Sequence, residues 1–422
     1  VVGLAVPPLL LSPRPPPLSP PPPAASPRLS ECEGTSPVLK RYRGTKIELW
    51  RINLKGKGKP MSLVSGVEAL WVAIDLAKNV LQVHVETDAG RVVTAKALRR
   101  ERVLAWCRSS LPAGTVIAME ACGAAHHWAR QLRAQGFAPR ILAAHLVEPF
   151  RRQGKRGKND ANDAAAICEA SRRARIHTVP IKSAAQQGVL VVHRLRERYK
   201  SERTALINSI RGLCAEFGVV FPQGPEELRR RITDELEDAS NELTALARQA
   251  LQRAHEHWLH IEAQLAWCDE RIAVHVRDDE RARAISRIPG IGPLTASALV
   301  ATVEDFGQFR TAAQFGAWLG MTPSQDSSGG KTRLGRITKR GDVYLRTLLI
   351  QAAKSAVMTA HRRADPISQS AARLKDRLGW QKACVALGHK HARIVWAMLV
   401  RGRPFDAAHT SSFPAPHAAA TA

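Results

Sequence analysis

Four acidic side chains stand where chemistry on a phosphate would need them. Asp75 closes an apolar run with Val72, Ile74 and Leu76 around it, and Glu120 closes VIAME in the same way. An unpaired carboxylate among apolar neighbours is costly, so each needs a cation or hydrogen bonds. Asp160 and Asp163 lie three apart in KNDANDAAAI, which puts both on one side of a helix. Two strand ends and one helix start can bring these acids to one place, where oxygen ligands suit Mg²⁺ ions that position a phosphodiester. Each acid alone also has a plainer role: Asp160 as a helix cap, Asp163 paired with a nearby arginine, Glu120 as a hydrogen-bonded buried carboxylate, Asp75 as the acceptor of a turn.

A second candidate centre lies in SSGGKTRLGRITKRGD. Ser327 and Ser328 precede Gly329 and Gly330, and Lys331, Arg333, Arg336, Lys339, Arg340 and Arg346 follow. Such cations can clamp a phosphodiester, and a serine hydroxyl beside glycine can attack phosphorus and conserve the bond as a phosphoserine. A phosphate-binding loop whose serines only donate hydrogen bonds is the other reading. No histidine is adjacent, and SGGK lacks the GxxxxGK[ST] frame of a nucleotide-binding loop. Arg151, Arg152, Lys155, Arg156 and Lys158 lie just before the Asp160/Asp163 pair, where phosphates would approach. The Pro289-Gly290-Ile291-Gly292 turn between two helical patterns can offer backbone N–H groups at Gly290 and Gly292 to a phosphate, as helix-hairpin-helix DNA binders do, or it is simply a tight turn.

Positioning these residues requires three kinds of architecture. From Leu70, VAIDLAKNVLQVHVETDAGRVVTAKAL predicts strands at about 70–76, 80–86 and 90–95, followed by a helix over 98–109. VIAME and FAPRILAA read as strands around a helix at 124–135, and DANDAAAICEASRRAR reads as a helix. The order strand-Asp, hairpin, strand-Glu, helix Asp-x-x-Asp is that of an RNase-H-like α/β domain. Residues 183–275 read as two long helices, the first ending near Gly218 and the second starting at PQGPEE: an antiparallel hairpin or coiled coil that supports dimerisation, or a compact helical bundle that contributes only core. The last part predicts a mainly α-helical domain with helix-hairpin-helix character, including helices at 344–358 and 381–401. The expected boundaries are 1–60 for a disordered Pro-rich and basic extension, 68–180, 181–278 and 279–402 for the three domains, and 403–422 for a disordered tail.

Composition narrows the partners. Lys and Arg number 63 against 37 Asp and Glu in 422 residues, a net charge of +26 that attracts polyanions and ill suits a typical small-molecule enzyme. Seven cysteines without a close pair exclude a zinc finger and argue against a disulfide scaffold, so a reducing cytoplasm is the expected home. No apolar run approaches the length of a membrane span. Residues 1–60 hold 13 of the 26 prolines, and the first Met is Met61. That segment reads as a disordered extension translated from upstream of the start, with a basic nucleic-acid-binding arm as the rival.

Six segments, VAIDLAKNVLQV, MEACG, KNDANDAAAI, RIPGIGPLTASALVATVEDFGQF, FGAWLGMTP and SSGGKTRLGRITKRGDVYLRTLLIQAA, together resemble one family. It is the insertion-sequence transposases that join an N-terminal DEDD domain, akin to Holliday-junction resolvases, to a C-terminal serine transposase domain: the bridge-RNA-guided recombinases. The resemblance spans about residues 70–400. It implies Asp75, Glu120, Asp160 and Asp163 as Mg²⁺ ligands and catalytic acids, and Ser328 as nucleophile, with Ser327 a close competitor. Asn79 stands where many members carry Asp or Glu. The implied activity is Mg²⁺-dependent DNA cleavage and strand exchange through a serine–DNA intermediate. The implied partners are double-stranded donor and target DNA, an element-encoded bridge RNA and further copies of the chain, as dimer or tetramer, on a bacterial nucleoid. The alternatives are a metal-dependent Holliday-junction-type endonuclease that uses water, and a non-catalytic architectural DNA binder.

Overall fold

The computed structural model describes residues 70–151, 159–174, 176–326 and 333–408. Side-chain alternation sets the first layer. In β1 (Leu70–Asp75), Val72 and Ile74 face one way and Trp71, Ala73 and Asp75 the other. β2 (Val80–Thr87) pairs antiparallel with β1, placing Asp75 opposite Gln82 and Trp71 opposite Glu86. β3 (Val92–Arg99) is the edge strand, reached through a turn in which Gly90 has φ +81°. After α1 (Val103–Ser110), β4 (Val116–Glu120) runs parallel to β1. After α2 (Ala125–Ala134), β5 (Ala138–Leu142) runs parallel to β4. Past the short α3 (Ala144–Val147) and α4 (Asp160–Ser171), β6 (Thr178–Val179) closes the six-stranded sheet β3-β2-β1-β4-β5-β6.

Both faces of this sheet are covered. Val72, Ile74, Leu81, Val83, Ile117, Met119 and Ile141 pack with α1 and α2 through Val103, Cys107, Trp128 and Leu132. On the opposite face small residues, Ala73 and Ala118 against Ala166 and Ala170, let α4 lie close, with Leu142 and Ile167 filling the remaining space. Because parallel β1 and β4 end on the same edge, Asp75 and Glu120 are delivered to one side, where α4 begins. This is the expected RNase-H-like core.

The helical region departs from expectation in one respect. α5 (Ala184–Ala215) starts at a capping box, Ser183 accepting from the Gln186 backbone while Gln186 accepts from Ser183 N. The single second helix expected after PQGPEE is in fact two, α6 (Pro225–Glu237) and α7 (Ala245–Asp278). The break has a local cause. Asp238 Oδ1 accepts from Ser240 N at 2.8 Å and from its hydroxyl at 2.6 Å, and Thr244 caps the new helix. α5 and α7 run antiparallel, tied by Arg196–Asp269 at 2.6 Å and Arg203–Glu262 at 3.6 Å. α6 folds back on their far end, burying Leu228 and Ile232 against Ile210, Leu251 and Trp258.

The last region contains α8 (Glu280–Ile285), α9 (Pro293–Thr302), α10 (Ala312–Trp318), the hairpin β7 (Pro323–Gln325) and β8 (Leu334–Ile337), α11 (Val343–Thr359), α12 (Pro366–Leu378) and α13 (Trp380–Arg401). Its core joins Ile285, Leu299, Phe315, Leu345, Leu349 and Val395. α12 has no counterpart in the sequence reading, although Asp365 as cap and Pro366 at the first turn announce it. Among the described residues no helix is long and apolar enough to cross a membrane.

Candidate functional site

Asp75, Glu120, Asp160 and Asp163 converge at the edge where β1 and β4 end and α4 begins. Asn159, not Asp160, caps α4, its Oδ1 accepting from Asn162 N at 2.8 Å. That leaves both aspartates of the first turn free of capping duty. The Asp75 carboxyl is pushed up to about 6, first by burial and then by the negative charge of Asp163, Asp160 and Glu120. Arg151 lies among these acids, with Nη2 2.5 Å from Glu120 and Nε 3.2 Å from Asp163. One guanidinium therefore balances part of a crowded negative cluster. Oxygen donors alone, with Arg151 the cation paired with them among the described residues, fit a hard divalent cation.

A second donor set lies at the other end of α4. His84 Nε2, a Glu86 carboxylate oxygen and Cys168 Sγ all lie within 4.8 Å of one another and could hold a metal ion. His84 Nε2 is 2.7 Å from Glu86, and Arg172 reaches the other Glu86 oxygen at 3.3 Å. Burial, and then the charge of Glu86, push the Cys168 thiol up to about 12, so a cation would have to draw its proton off. Nitrogen and sulfur donors favour a softer divalent ion than the all-oxygen set does. The two sets are separate: Glu86 lies opposite Trp71 and Asp75 opposite Gln82, four residues along the sheet or about 13 Å.

The basic residues divide into several groups. Arg336 and Lys339 flank the end of β8. Lys339 has φ +55°, and the Gly341 position closes to 2.1 Å of the Trp318 carbonyl when a Cβ is placed on it, so the turn at 338–341 is wedged onto the end of α10. Arg340 supplies the backbone that Gly320 packs against. Arg346, expected beside a phosphate, is instead buried and donates Nη1 to the Leu319 carbonyl at 3.0 Å. Gly290, expected to cradle a phosphate, packs inward, since a Cβ there would lie 2.2 Å from the Ala352 carbonyl of α11; Gly292 is open. Arg333 immediately precedes β8, its backbone carbonyl accepting from Asp326 N at 3.0 Å. Arg152, Lys155, Arg156, Lys158, Ser327, Ser328 and Lys331 lie outside the described residues.

Two family comparisons match the chain over separate stretches. Residues 72–218 match a DEDD transposase family, described as Transposase, and residues 282–368 match the family described as Transposase IS116/IS110/IS902 family. A probable family 20 transposase of Pseudomonas aeruginosa is 41% identical, covering 78% of this chain and 96% of the relative. The chain belongs to this transposase family. The transposase is also 35% identical to the transposase of insertion sequence element IS1111A from Coxiella burnetii, over 78% of this chain and 89% of that one. A putative transposase, y4pF/y4sB, of Sinorhizobium fredii is 35% identical over 84% and 89%. The transposase is thus a DNA-acting enzyme of bacterial insertion-sequence type.

One expectation is corrected. The sequence reading had Ser328 attack phosphorus and carry the DNA as a phosphoserine. What the transposase assembles beside its RNase-H-like sheet is metal-binding chemistry, with His84 and Glu86 of β2 gathered within 4.8 Å of Cys168, which lies on the same α4 that carries Asp160 and Asp163. That donor chemistry supports metal-dependent hydrolysis with water as nucleophile rather than a covalent serine route. Sequence reading missed His84, Glu86 and Cys168 altogether. His84 and Glu86 do alternate on one face of β2, but only the strand register and the packing of α4 bring Cys168 to them.

Proposed function

We propose that this transposase cuts DNA by metal-dependent hydrolysis, with Asp75, Glu120, Asp160 and Asp163 as the Mg²⁺ ligands. The observation that carries the reading is the meeting of four carboxylates at one sheet edge, with Arg151 bonded to Glu120 and 3.2 Å from Asp163, a crowding of negative charge that also pushes the Asp75 carboxyl up and that a bound divalent cation relieves. Mg²⁺ bound there would offset the charge of the scissile phosphate and of the departing oxygen. The carboxylates would fix where the phosphate sits, and Arg151, paired with Glu120 and Asp163, would share the balancing of their charge. Water attacks phosphorus, the phosphorus–oxygen bond to one strand end breaks, and that end leaves as a hydroxyl.

The net charge of +26 supports binding of double-stranded donor and target DNA together with an element-encoded bridge RNA. Exposed Val191 and Leu195 on α5 and Leu259 and Trp267 on α7 support assembly of two or four copies through the 181–278 arm, between functional units at 68–180 and 279–402. The place of action is the bacterial nucleoid.

Cleavage of junction and element-end DNA in Mg²⁺, run in ¹⁸O-labelled water, tests the reaction. Label in the new terminal phosphate, with no protein left on the DNA after denaturation, is the expected result. Unlabelled phosphate with a denaturation-resistant protein–DNA adduct would sink it.

A further inference from the structure

A recess between α10, α12 and α13 belongs to neither donor set. It encloses about 660 Å³, within the range of roughly 300–1,000 Å³ common for small-molecule sites. Its apolar lining includes Ile367, Ile394, Ala397 and Phe405. Ile394 and Phe405 pack against both helical core clusters of this region, so the recess lies along the seam between them. Its cationic lining is Lys390, Arg393, Arg401 and Arg403, against one acid, Asp406. Arg401 sits over the Trp396 ring, 5.9 Å from its centre.

Among the described residues of the lining, four cations face one acid, Asp406. Burial, and then Arg373 and Arg393, hold the Lys390 ammonium below its usual range, and burial with Arg393 does the same to the His389 imidazole. His389 also lines the recess, with its buried Nε2 turned against Gly316 of α10, where a Cβ would lie 2.3 Å from it. A purely apolar ligand would leave these cations unanswered. A bare polyanion would use the cations but not the apolar wall. A nucleotide answers both.

We propose that this recess receives a single unstacked nucleotide of DNA, its base against Ile394, Ala397 and Phe405 and its flanking phosphates on Arg393, Arg401 and Arg403. The proposal rests on the DNA-cutting reading above. Duplex DNA keeps its bases stacked, so the recess selects unpaired strands of the kind exposed when a duplex is opened for cutting.

The test uses the full chain with metal chelated, and reads anisotropy of a labelled single-stranded oligodeoxynucleotide, its duplex and the matching oligoribonucleotide. Arg393→Glu with Arg403→Glu should weaken single-stranded DNA binding by roughly tenfold or more and duplex binding by clearly less. Ala397→Phe fills the recess without changing charge and should weaken single-stranded DNA alone. In the unaltered chain, a 2-aminopurine within the strand should change fluorescence on binding, which needs no variant to fold. Equal losses for single strand and duplex, with no effect of Ala397→Phe, would reduce the recess to part of a diffuse basic surface and overturn the proposal. A loss confined to RNA overturns it too. If the unaltered chain binds no DNA, the DNA-cutting reading falls and takes the recess with it; if it binds DNA and all variants bind equally well, only the recess falls.

Discussion

Arg151 Nη2 donates to Glu120 Oε2 at 2.5 Å, while its Nε, 3.2 Å from Asp163, is buried with no hydrogen-bond partner among the described residues. The guanidinium is therefore anchored to one acid and drawn to the other by charge alone. It holds the place of a cation between a strand end and a helix start. A divalent ion entering the cluster must compete with it.

Replacing Arg151 by Gln removes that competitor. Ca²⁺, which binds such sites without supporting cleavage, should then bind several-fold more tightly in calorimetry. The metal-free protein should lose about 1 kcal/mol, because the acids face one another without their counter-charge. Unchanged Ca²⁺ affinity would mean that Arg151 and the cation do not share a place.

Two glycines of one turn should behave oppositely. Gly290 has φ +84° and would drive a Cβ to 2.2 Å from the Ala352 carbonyl, whereas nothing lies within 4 Å of a Cβ on Gly292. Gly290→Ala should cost about 2–4 kcal/mol in chemical denaturation, from backbone strain and displacement of α11. Gly292→Ala should cost well under about 1 kcal/mol. Equal costs would show that α11 gives way freely.

A buried relay links the helical arm to the last region. His193 on α5 meets Tyr344 Oη at 2.9 Å through Nδ1 and Ser297 Oγ at 2.8 Å through Nε2, and His275 reaches the same Ser297 oxygen at 2.9 Å. Burial, then His275 and Arg196, lower His193 to about 4. Its folded value lies below its unfolded value near 6.5, so its contribution to stability is complete above pH 6.5 and is lost as the pH falls toward 4. Melting temperature should decline across that window, and His193→Gln should flatten the decline. A parallel decline in the variant would assign the effect to other groups.

The second donor set makes its own prediction. Co²⁺ added to the chain should produce the intense absorption of a thiolate-bound metal, and Cys168→Ser should abolish it while leaving the fold intact. Absorption that persists in the variant would place the metal elsewhere.

The sheet and its acids were legible for a simple reason. Alternation fixed which face each strand residue takes, and two parallel strands must end on one edge, so Asp75 and Glu120 had to meet. The rest depended on information that is not periodic. The break before α7 follows from Asp238 bonding Ser240, a contact between polar neighbours inside a helical pattern. His84, Glu86 and Cys168 are ordinary β2 and α4 residues until register and packing bring them together. Arg346 reads as one more cation in a basic run, yet it lies on the buried side of α11 and secures the end of α10.

Asp75 gives the sharpest test, because its charge is unfavourable until a cation arrives. Its carboxyl titrates near 6 in the folded chain against a reference of 3.8. The folded state therefore holds a proton more readily than the unfolded state between those values, so stability falls as pH rises from about 4 to 6 and stays reduced above that. Asp75→Asn removes the penalty. Half-burial and solvent screening reduce the gain to about 1 kcal/mol at pH 7, and it should vanish below pH 4. Cleavage in Mg²⁺ should be lost at every pH in the same variant, while DNA binding, which draws on the distributed basic surface, stays close to normal. Denaturation curves at pH 4 and pH 7, with and without Mg²⁺, separate the two effects: the unaltered chain should be stabilised by Mg²⁺ at pH 7 and the variant far less. A variant that cuts DNA at full rate would remove Asp75 from the metal centre. One that gains nothing at pH 7 without metal would show that the carboxylates do not repel one another as their placement requires.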